Sequence, residues 1–462
     1  MSDFTAKKVV VVGAARQGLA LSRFLVRRGA QVFLTDARPP AELNEAASLA
    51  EKLGIAVAFG SHPLELLDGA NLVCLSGGVS PTIPLVQEAQ RRSIPLSNDS
   101  QIFLEECPAQ VIGITGSAGK TTTTSLVGLM ARKHFEMKNL PNRAWVGGNI
   151  GTPLIDEVDE MREDDLAVVE LSSFQLELMT RSPQVAAILN ITPNHLDRHA
   201  SMAAYTAAKA NILRFQHAGD VAVLNRDDAG AWALAEQAKT DILSFGLRQP
   251  PAHQSGTYIE GDWIWLQIGR ERLKMLPTEW IQLRGSHNLM NVVAACAIAA
   301  GATLALPAIQ TAVEEFQGVP HRLEFVRRFN GADWYNDSIA TAPERTIAAI
   351  QAFNQPIILL LGGRDKNLPW EKLADLVRRK VSRVVLFGEA ADLIAEAIGP
   401  RRPGQFLKSV QKCETLHEAV KIAASQAGEG DVVLLSPGGT SFDAFKDFEE
   451  RGEAFKNWVN AL

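Results

Sequence analysis

The chain has 462 residues, too many for one hydrophobic core; at about 150 residues per domain, the length implies about three domains. Its 46 Lys and Arg against 52 Asp and Glu give a formal charge of −6, which argues against a sequence-independent nucleic-acid binder. Ordinary apolar (46%) and charged (21%) fractions argue against disordered, collagen-like and coiled-coil chains. The four scattered cysteines contain no Cys-x-x-Cys pair and fit unpaired thiols in a reducing compartment better than disulfides or zinc.

From the N-terminus, MSDFTAKKVVVVG runs into a strand without the pattern of a signal peptide, so a cytoplasmic protein is expected. Short β-branched runs then recur at Val9–Val12, Gln31–Thr35, Asn71–Leu75, Gln110–Thr115, Leu166–Leu171, Val185–Asn190, Val221–Asn225, Ile357–Leu361, Arg383–Phe387 and Asp431–Ser436, separated by helix-length stretches. Near-continuous apolar strands alternating with helices predict an α/β protein of parallel sheets covered on both faces, with ligands at the carboxyl edges. Three groups are expected, residues 1–98, 99–318 and 319–462, the second including a less regular stretch at Ser255–Ile281. The uncharged run Val292–Ile309 imitates a membrane span. Its alanines gain little in lipid and Pro307 interrupts it, so it is read as a buried, close-packed helix and no span is expected.

Several strand ends carry chemistry. Gly13-Ala-Ala-Arg-Gln-Gly18, with Asp36 after the next strand, is similar to a dinucleotide fingerprint. Ala15 replaces the middle glycine, however, and its Cβ would crowd a pyrophosphate, which weakens an NAD reading. Ser76-Gly77-Gly78 offers further amides to an anionic group; alternatively, these glycines serve only tight helix–strand packing. The strongest motif is Gly116-Ser117-Ala118-Gly119-Lys120-Thr121, between an apolar strand and a helix expected over Thr122–Arg132. Glycines let backbone amides approach phosphate oxygens, Lys120 reaches the terminal phosphates and the Thr121 hydroxyl suits Mg²⁺, although Ile114 stands where the P-loop pattern has its first glycine. Glu170 ends a neighbouring strand and supplies the carboxylate such a metal needs. In Asn190–His199, Pro193 and the missing Glu argue against a His195–His199 zinc pair; His195 is a contact for Mg²⁺ or phosphate, or a surface histidine. Lys209 lies in a helix expected over Met202–Phe215, where residue type alone favours a solvated side chain. The last third places His321-Arg322, Asn336-Asp337-Ser338, Leu361–Lys366 and Ser436–Gly452 at strand ends or turns, a set of cations, hydroxyls and glycines suited to a small carboxylate-bearing substrate and a closing lid.

Together these residues resemble the Mur ligases from end to end. The resemblance is most specific in Thr115–Thr121, Val146–Gly151, Glu170–Gln175, Asn190–Arg198, His321-Arg322, Asn336-Asp337-Ser338 and Phe448-Glu-Glu-Arg-Gly452, and it points to the D-glutamate-adding members. It implies a Rossmann-like UDP-sugar domain, a central P-loop ATPase-type domain and a Rossmann-like amino-acid domain. The implied activity is an ATP-dependent, monomeric, cytoplasmic ligase that adds D-glutamate to UDP-N-acetylmuramoyl-L-alanine through an acyl phosphate, in peptidoglycan precursor synthesis. By position, it implies ATP contacts at Gly116, Ser117, Ala118, Gly119, Lys120, Thr121, Thr122, Asn149, Asn291, Arg322 and Asp337. Lys120, His195 and Lys209 would be catalytic, and two Mg²⁺ ions would be held by Thr121, Glu170, His195 and Lys209 as a carbamate. UDP-sugar contacts are implied at Arg16, Gln17, Asp36, Arg38, Ser76, Gly77, Gly78 and Asn149, and D-glutamate contacts at Thr341, Lys366, Ser441, Phe442 and Phe448. A hinge is expected near Gly318–Pro320. The sequence departs from the family pattern at Ala118, where the family has Asn, and at Ile339, where a lysine is common. A ligase with another acceptor, such as another amino acid or a folate, and a nucleotide sensor without catalysis are the alternatives.

Overall fold

Apolar β-branched runs flanked by helices build three sheets in the computed structural model, which describes residues 3–149, 151–193, 198–283, 285–366, 368–400 and 404–462. The first sheet contains β1 (Lys8–Val12), β2 (Gln31–Asp36), β3 (Ala56–Phe59), β4 (Leu72–Leu75) and β5 (Leu96–Ser97), all parallel, in the order β3-β2-β1-β4-β5. Val12 stands level with Thr35 and Leu75, so the residues just after these strands share one carboxyl edge, at the point where the strand order reverses.

The second sheet contains β6 (Gln110–Thr115), β7 (Ala144–Gly148), β8 (Leu166–Glu170), β9 (Val185–Ile188), β10 (Val221–Asn225), β11 (Asp241–Phe245), β12 (Ser255–Glu260), β13 (Trp263–Ile268) and β14 (Glu271–Pro277). Its order is β14-β13-β12-β11-β10-β9-β6-β8-β7. Strands β6 to β12 run parallel, and β12–β14 form an antiparallel meander that accounts for the irregular Ser255–Ile281 stretch. The third sheet contains β15 (Glu324–Phe329), β16 (Ala332–Asn336), β17 (Ile357–Gly362), β18 (Val381–Phe387), β19 (Ser409–Lys412) and β20 (Val432–Gly438), in the order β15-β16-β20-β17-β18-β19. Only β15 is antiparallel to its neighbour.

The chain divides into two units, residues 1–282 with 286–316, and residues 283–285 with 317–462. The first two sheets share the first unit. One buried apolar cluster runs from Phe4 and Phe24 through Ile102 to Leu154 and Tyr205. Arg23 pairs with Asp156, and Arg28 with Asp159 at 2.7 Å.

The Val292–Ile309 expectation needs correction. The run is split between two helices, Ser286–Gly301 and Leu306–Glu315, with Thr303 at φ +57° between them. Proline cannot sit in a helix interior without losing a hydrogen bond, but it suits the first turn, so Pro307 opens a second helix. The Ala305 N–H at this break donates to His134 Nδ1 at 2.9 Å. Among the described residues, no helix is long and apolar enough to cross a membrane.

Candidate active site

The central site forms where β6 gives way to the helix Lys120–Met137, which starts two residues earlier than expected. Gly119 has φ +82°, and a Cβ there would lie 2.3 Å from Asn291 Oδ1, so only glycine fits. The loop is held from the segment after β9. Asn190 Oδ1 accepts from Ala118 N–H at 2.8 Å and Asn190 Nδ2 donates to the Ala118 carbonyl at 3.1 Å, while Ser117 N–H donates to the Asn190 carbonyl at 3.0 Å. The Ser117 hydroxyl donates to the Thr192 carbonyl and accepts from Thr192 N–H, both at 2.9 Å, and lies 3.0 Å from Tyr205 Oη. Lys120, one turn on, folds back so that Nζ donates to the Gly116 carbonyl at 2.9 Å.

Thr121 and Glu170 meet as expected. The hydroxyl donates to Glu170 Oε2 at 2.8 Å, and Asn149 Nδ2 donates to Oε1 at 3.3 Å. Glu170 is buried at the end of β8, which is level with β6 (Ile114 opposite Glu170). Thr122 is buried in the same first helical turn.

Lys209 is not the solvated helical lysine that residue type alone favours. From the helix Met202–Arg214 its side chain turns inward and is 1% exposed. Nζ donates to the Gly116 carbonyl at 3.0 Å and to Thr115 Oγ1 at 3.2 Å, and lies 4.8 Å from the Tyr205 ring centroid. Burial, reinforced by the nearby Lys120 ammonium and opposed by Glu170, lowers its pKa to about 7. Two ammonium groups thus converge on one carbonyl. Tyr205, the Asn190 clamp and the burial of Lys209 went unpredicted, although Tyr205, Lys209 and Ile212 stand at i, i+4 and i+7, the spacing of one helix face.

His195 and Asp197 lie outside the described residues. His199 is buried, with Nε2 2.9 Å from Ser173 Oγ and its ring stacked on Phe174 at 5.1 Å. Among the described residues, no group of three or more His, Cys, Asp or Glu is placed to hold a metal.

On the first sheet, Asp36 accepts from Ala14 N–H (2.8 Å), Arg38 N–H (3.0 Å), Arg38 Nε (3.0 Å) and Arg38 Nη2 (2.8 Å). Burial raises its pKa, but these bonds outweigh it and hold the carboxyl at about 2. Ser76 Oγ donates to the Gly13 carbonyl at 2.9 Å, closing the two loops on each other. Arg16 and Gly78 are exposed, and Arg198 Nη1 reaches the Gly78 carbonyl at 2.9 Å. Gln17 and Gly77 are half-buried, and the buried Gln17 Nε2 has no hydrogen-bond partner among the described residues.

The second unit gathers its own set at the carboxyl edges of β16, β20 and β17. Asp337 is buried and accepts from Ser436 Oγ at 2.8 Å and Leu323 N–H at 3.2 Å; burial raises its pKa to about 7. Lys366 Nζ donates to Thr341 Oγ1 at 3.4 Å, and burial lowers the Lys366 pKa. Ser441 is buried and Phe442 is 61% exposed. Phe448 opens the last helix, Phe448–Asn460, against His321. Arg322 is exposed. At Ile339, where the family often has a cation, Arg345 Nη1 donates to the carbonyl at 3.1 Å.

Three family profiles match this chain: the Mur ligase MurD-like N-terminal domain over residues 7–98, the Mur ligase middle domain over 114–299 and the Mur ligase glutamate ligase domain over 321–439. The UDP-N-acetylmuramoylalanine–D-glutamate ligase of Symbiobacterium thermophilum is 40% identical, covering 99% of this chain and 98% of its own. The chain belongs to the Mur ligases. The ligase of the same name from Koribacter versatilis is 38% identical over 100% of this chain and 98% of its own. Among solved Mur ligases, UDP-N-acetylmuramate-alanine ligase MurC from Thermotoga maritima superposes with a TM-score of 0.58 at 20% identity, covering 98% of this chain and 99% of that one. MurF from Acinetobacter baumannii gives 0.55 at 21%, covering 98% and 94%. These two show the fold, an α/β Mur ligase architecture of three domains.

Proposed function

We propose that this Mur ligase joins D-glutamate to UDP-N-acetylmuramoyl-L-alanine in peptidoglycan precursor synthesis, cleaving ATP to ADP and phosphate. The observation that carries this reading is the full-length likeness to D-glutamate ligases in a chain whose phosphate loop, acid and buried lysine share one sheet edge. ATP phosphates lie against the amides of Gly116, Ser117, Ala118, Gly119 and Thr122, with Lys120 on the terminal phosphates. Asn149 and Asn291 lie near adenine, and Arg322 and Asp337 keep their expected roles toward phosphate and ribose. Arg16, Gln17, Ser76, Gly77 and Gly78 hold the diphosphate, with Asp36 and Arg38 toward uracil; the buried Gln17 Nε2, without a hydrogen-bond partner among the described residues, supports a polar ligand here.

The paired oxygens of Thr121 and Glu170 suit a hard cation. They would hold one Mg²⁺, and His195 with carbamylated Lys209 a second. Bound there, magnesium would offset the repulsion between two anionic reactants. Lys209 is suited to carbamylation because its depressed pKa leaves much of the amine free near neutral pH, and carbamylation needs the free amine, releasing one proton as CO₂ adds.

The alanyl carboxylate attacks the γ-phosphorus, ADP leaves, and an acyl phosphate forms. The D-glutamate amine then attacks the acyl carbon; the tetrahedral intermediate collapses to the amide, expelling phosphate, and the amine loses its proton. Thr341, Lys366, Ser441, Phe442 and Phe448 hold D-glutamate. We take the enzyme to act as a cytoplasmic monomer, where ATP and the nucleotide sugar are available and where its four free cysteines stay reduced.

Phosphate release from ATP and Mg²⁺ tests the reading, with nucleotide sugar and each amino acid added separately. Release requiring both the nucleotide sugar and D-glutamate is expected. Release with a different acceptor, or with none, would overturn it.

A further inference from the structure

Arg451 sits in the last helix with its side chain 0% exposed, yet it forms no ion pair among the described residues. A buried guanidinium usually has a carboxylate partner, because removing the charge from water is costly. Here its donors go to the main chain and one hydroxyl. Nε donates to Ser338 Oγ at 3.0 Å, Nη1 to the carbonyls of Gly439 (3.2 Å) and Thr440 (3.0 Å), and Nη2 to those of Ser338 (2.9 Å) and Gly439 (3.2 Å). These acceptors belong to two loops, the one after β16 and the one after β20. Thr440 exchanges two further bonds with Arg364, at 2.9 and 2.8 Å, and so brings in the loop after β17. Ser338 Oγ also donates to the Phe448 carbonyl at 2.8 Å, closing the arrangement on the helix that carries Arg451.

We infer that Arg451 is a positioning residue for D-glutamate, its planar fork fixing the three loops that carry Thr341, Lys366 and Ser441. This rests on the proposed D-glutamate role of those three residues. Ser441 follows Thr440 directly, Thr341 stands three residues after Ser338, and Lys366 two after Arg364, so a shift in any of the bonded carbonyls moves a substrate contact. Only a guanidinium offers five donors in a fixed plane; a lysine keeps the charge but carries three donors on one nitrogen at the end of a flexible stem. Its positive charge, offset in part by the Asp443 carboxylate beyond ion-pair distance, also favours the binding of a dicarboxylate nearby. Asp337 precedes Ser338 in the chain but has two anchors of its own, Ser436 Oγ and Leu323 N–H, so contacts assigned to ATP depend less on Arg451 than those assigned to D-glutamate.

Steady-state kinetics of Arg451→Lys and Arg451→Ala, each substrate varied in turn and melting followed alongside, test the assignment. Arg451→Lys is expected to raise the KM for D-glutamate at least tenfold, to leave the KM values for ATP and nucleotide sugar within threefold, and to keep its melting transition. Guanidinium ions added to Arg451→Ala are expected to restore a substantial part of the lost kcat/KM for D-glutamate. Three KM values that stay unchanged, or that rise in step without a guanidinium response, would overturn the assignment. So would loss of the melting transition in both variants, which would make the role structural. A wild-type enzyme that ignores D-glutamate would instead mark failure of the functional reading.

Discussion

At Lys209, 1% exposure and the nearby Lys120 ammonium leave a cation where water would normally be needed. The depressed pKa has a signed consequence. Between about pH 7 and the ordinary lysine value of 10.5, the native state binds fewer protons than the unfolded chain, so stability rises with pH across that window. Below about pH 7 both states are protonated and the burial cost applies in full. Lys209→Met is therefore expected to melt higher than the wild type near pH 6, with the advantage shrinking by about pH 9; thermal melts at both pH values check this. Its ligation is expected to fall about a hundredfold or more, with partial rescue by short carboxylates. Residue type alone did not reveal this lysine. What did carry the information was its spacing from Tyr205 and Ile212, which puts it on the buried helix face, together with the family resemblance.

At the scale of elements, the strand–loop–helix around Lys120 was legible because glycines and an apolar strand are local signals. The Asn190 clamp was not, since it joins residues 72 apart in sequence. Asn190→Ala removes two hydrogen bonds from the loop. At about 0.5–1.5 kcal/mol net each, ATP affinity should drop roughly tenfold, measurable by nucleotide titration. The split of Val292–Ile309 into two helices was half-visible. Pro307 was noticed, but its preference for a first helical turn was not followed to a new start.

For the whole molecule, the alternation of apolar strands with helices was enough to give three sheets and their carboxyl-edge sites, because parallel strands must be buried on both faces. That the first two sheets share one core was not readable. It depends on Phe24, Ile102 and Leu154 packing together and on ion pairs such as Arg28–Asp159, none of them local in sequence. The proposed reaction activates a carboxylate with ATP before an amine displaces phosphate. An ¹⁸O label in the alanyl carboxylate of the nucleotide sugar tests it most directly, with D-glutamate and ATP supplied and the products analysed by mass. Passage through an acyl phosphate transfers one labelled oxygen to the released phosphate for each D-glutamyl product formed. Product formed with unlabelled phosphate would contradict it.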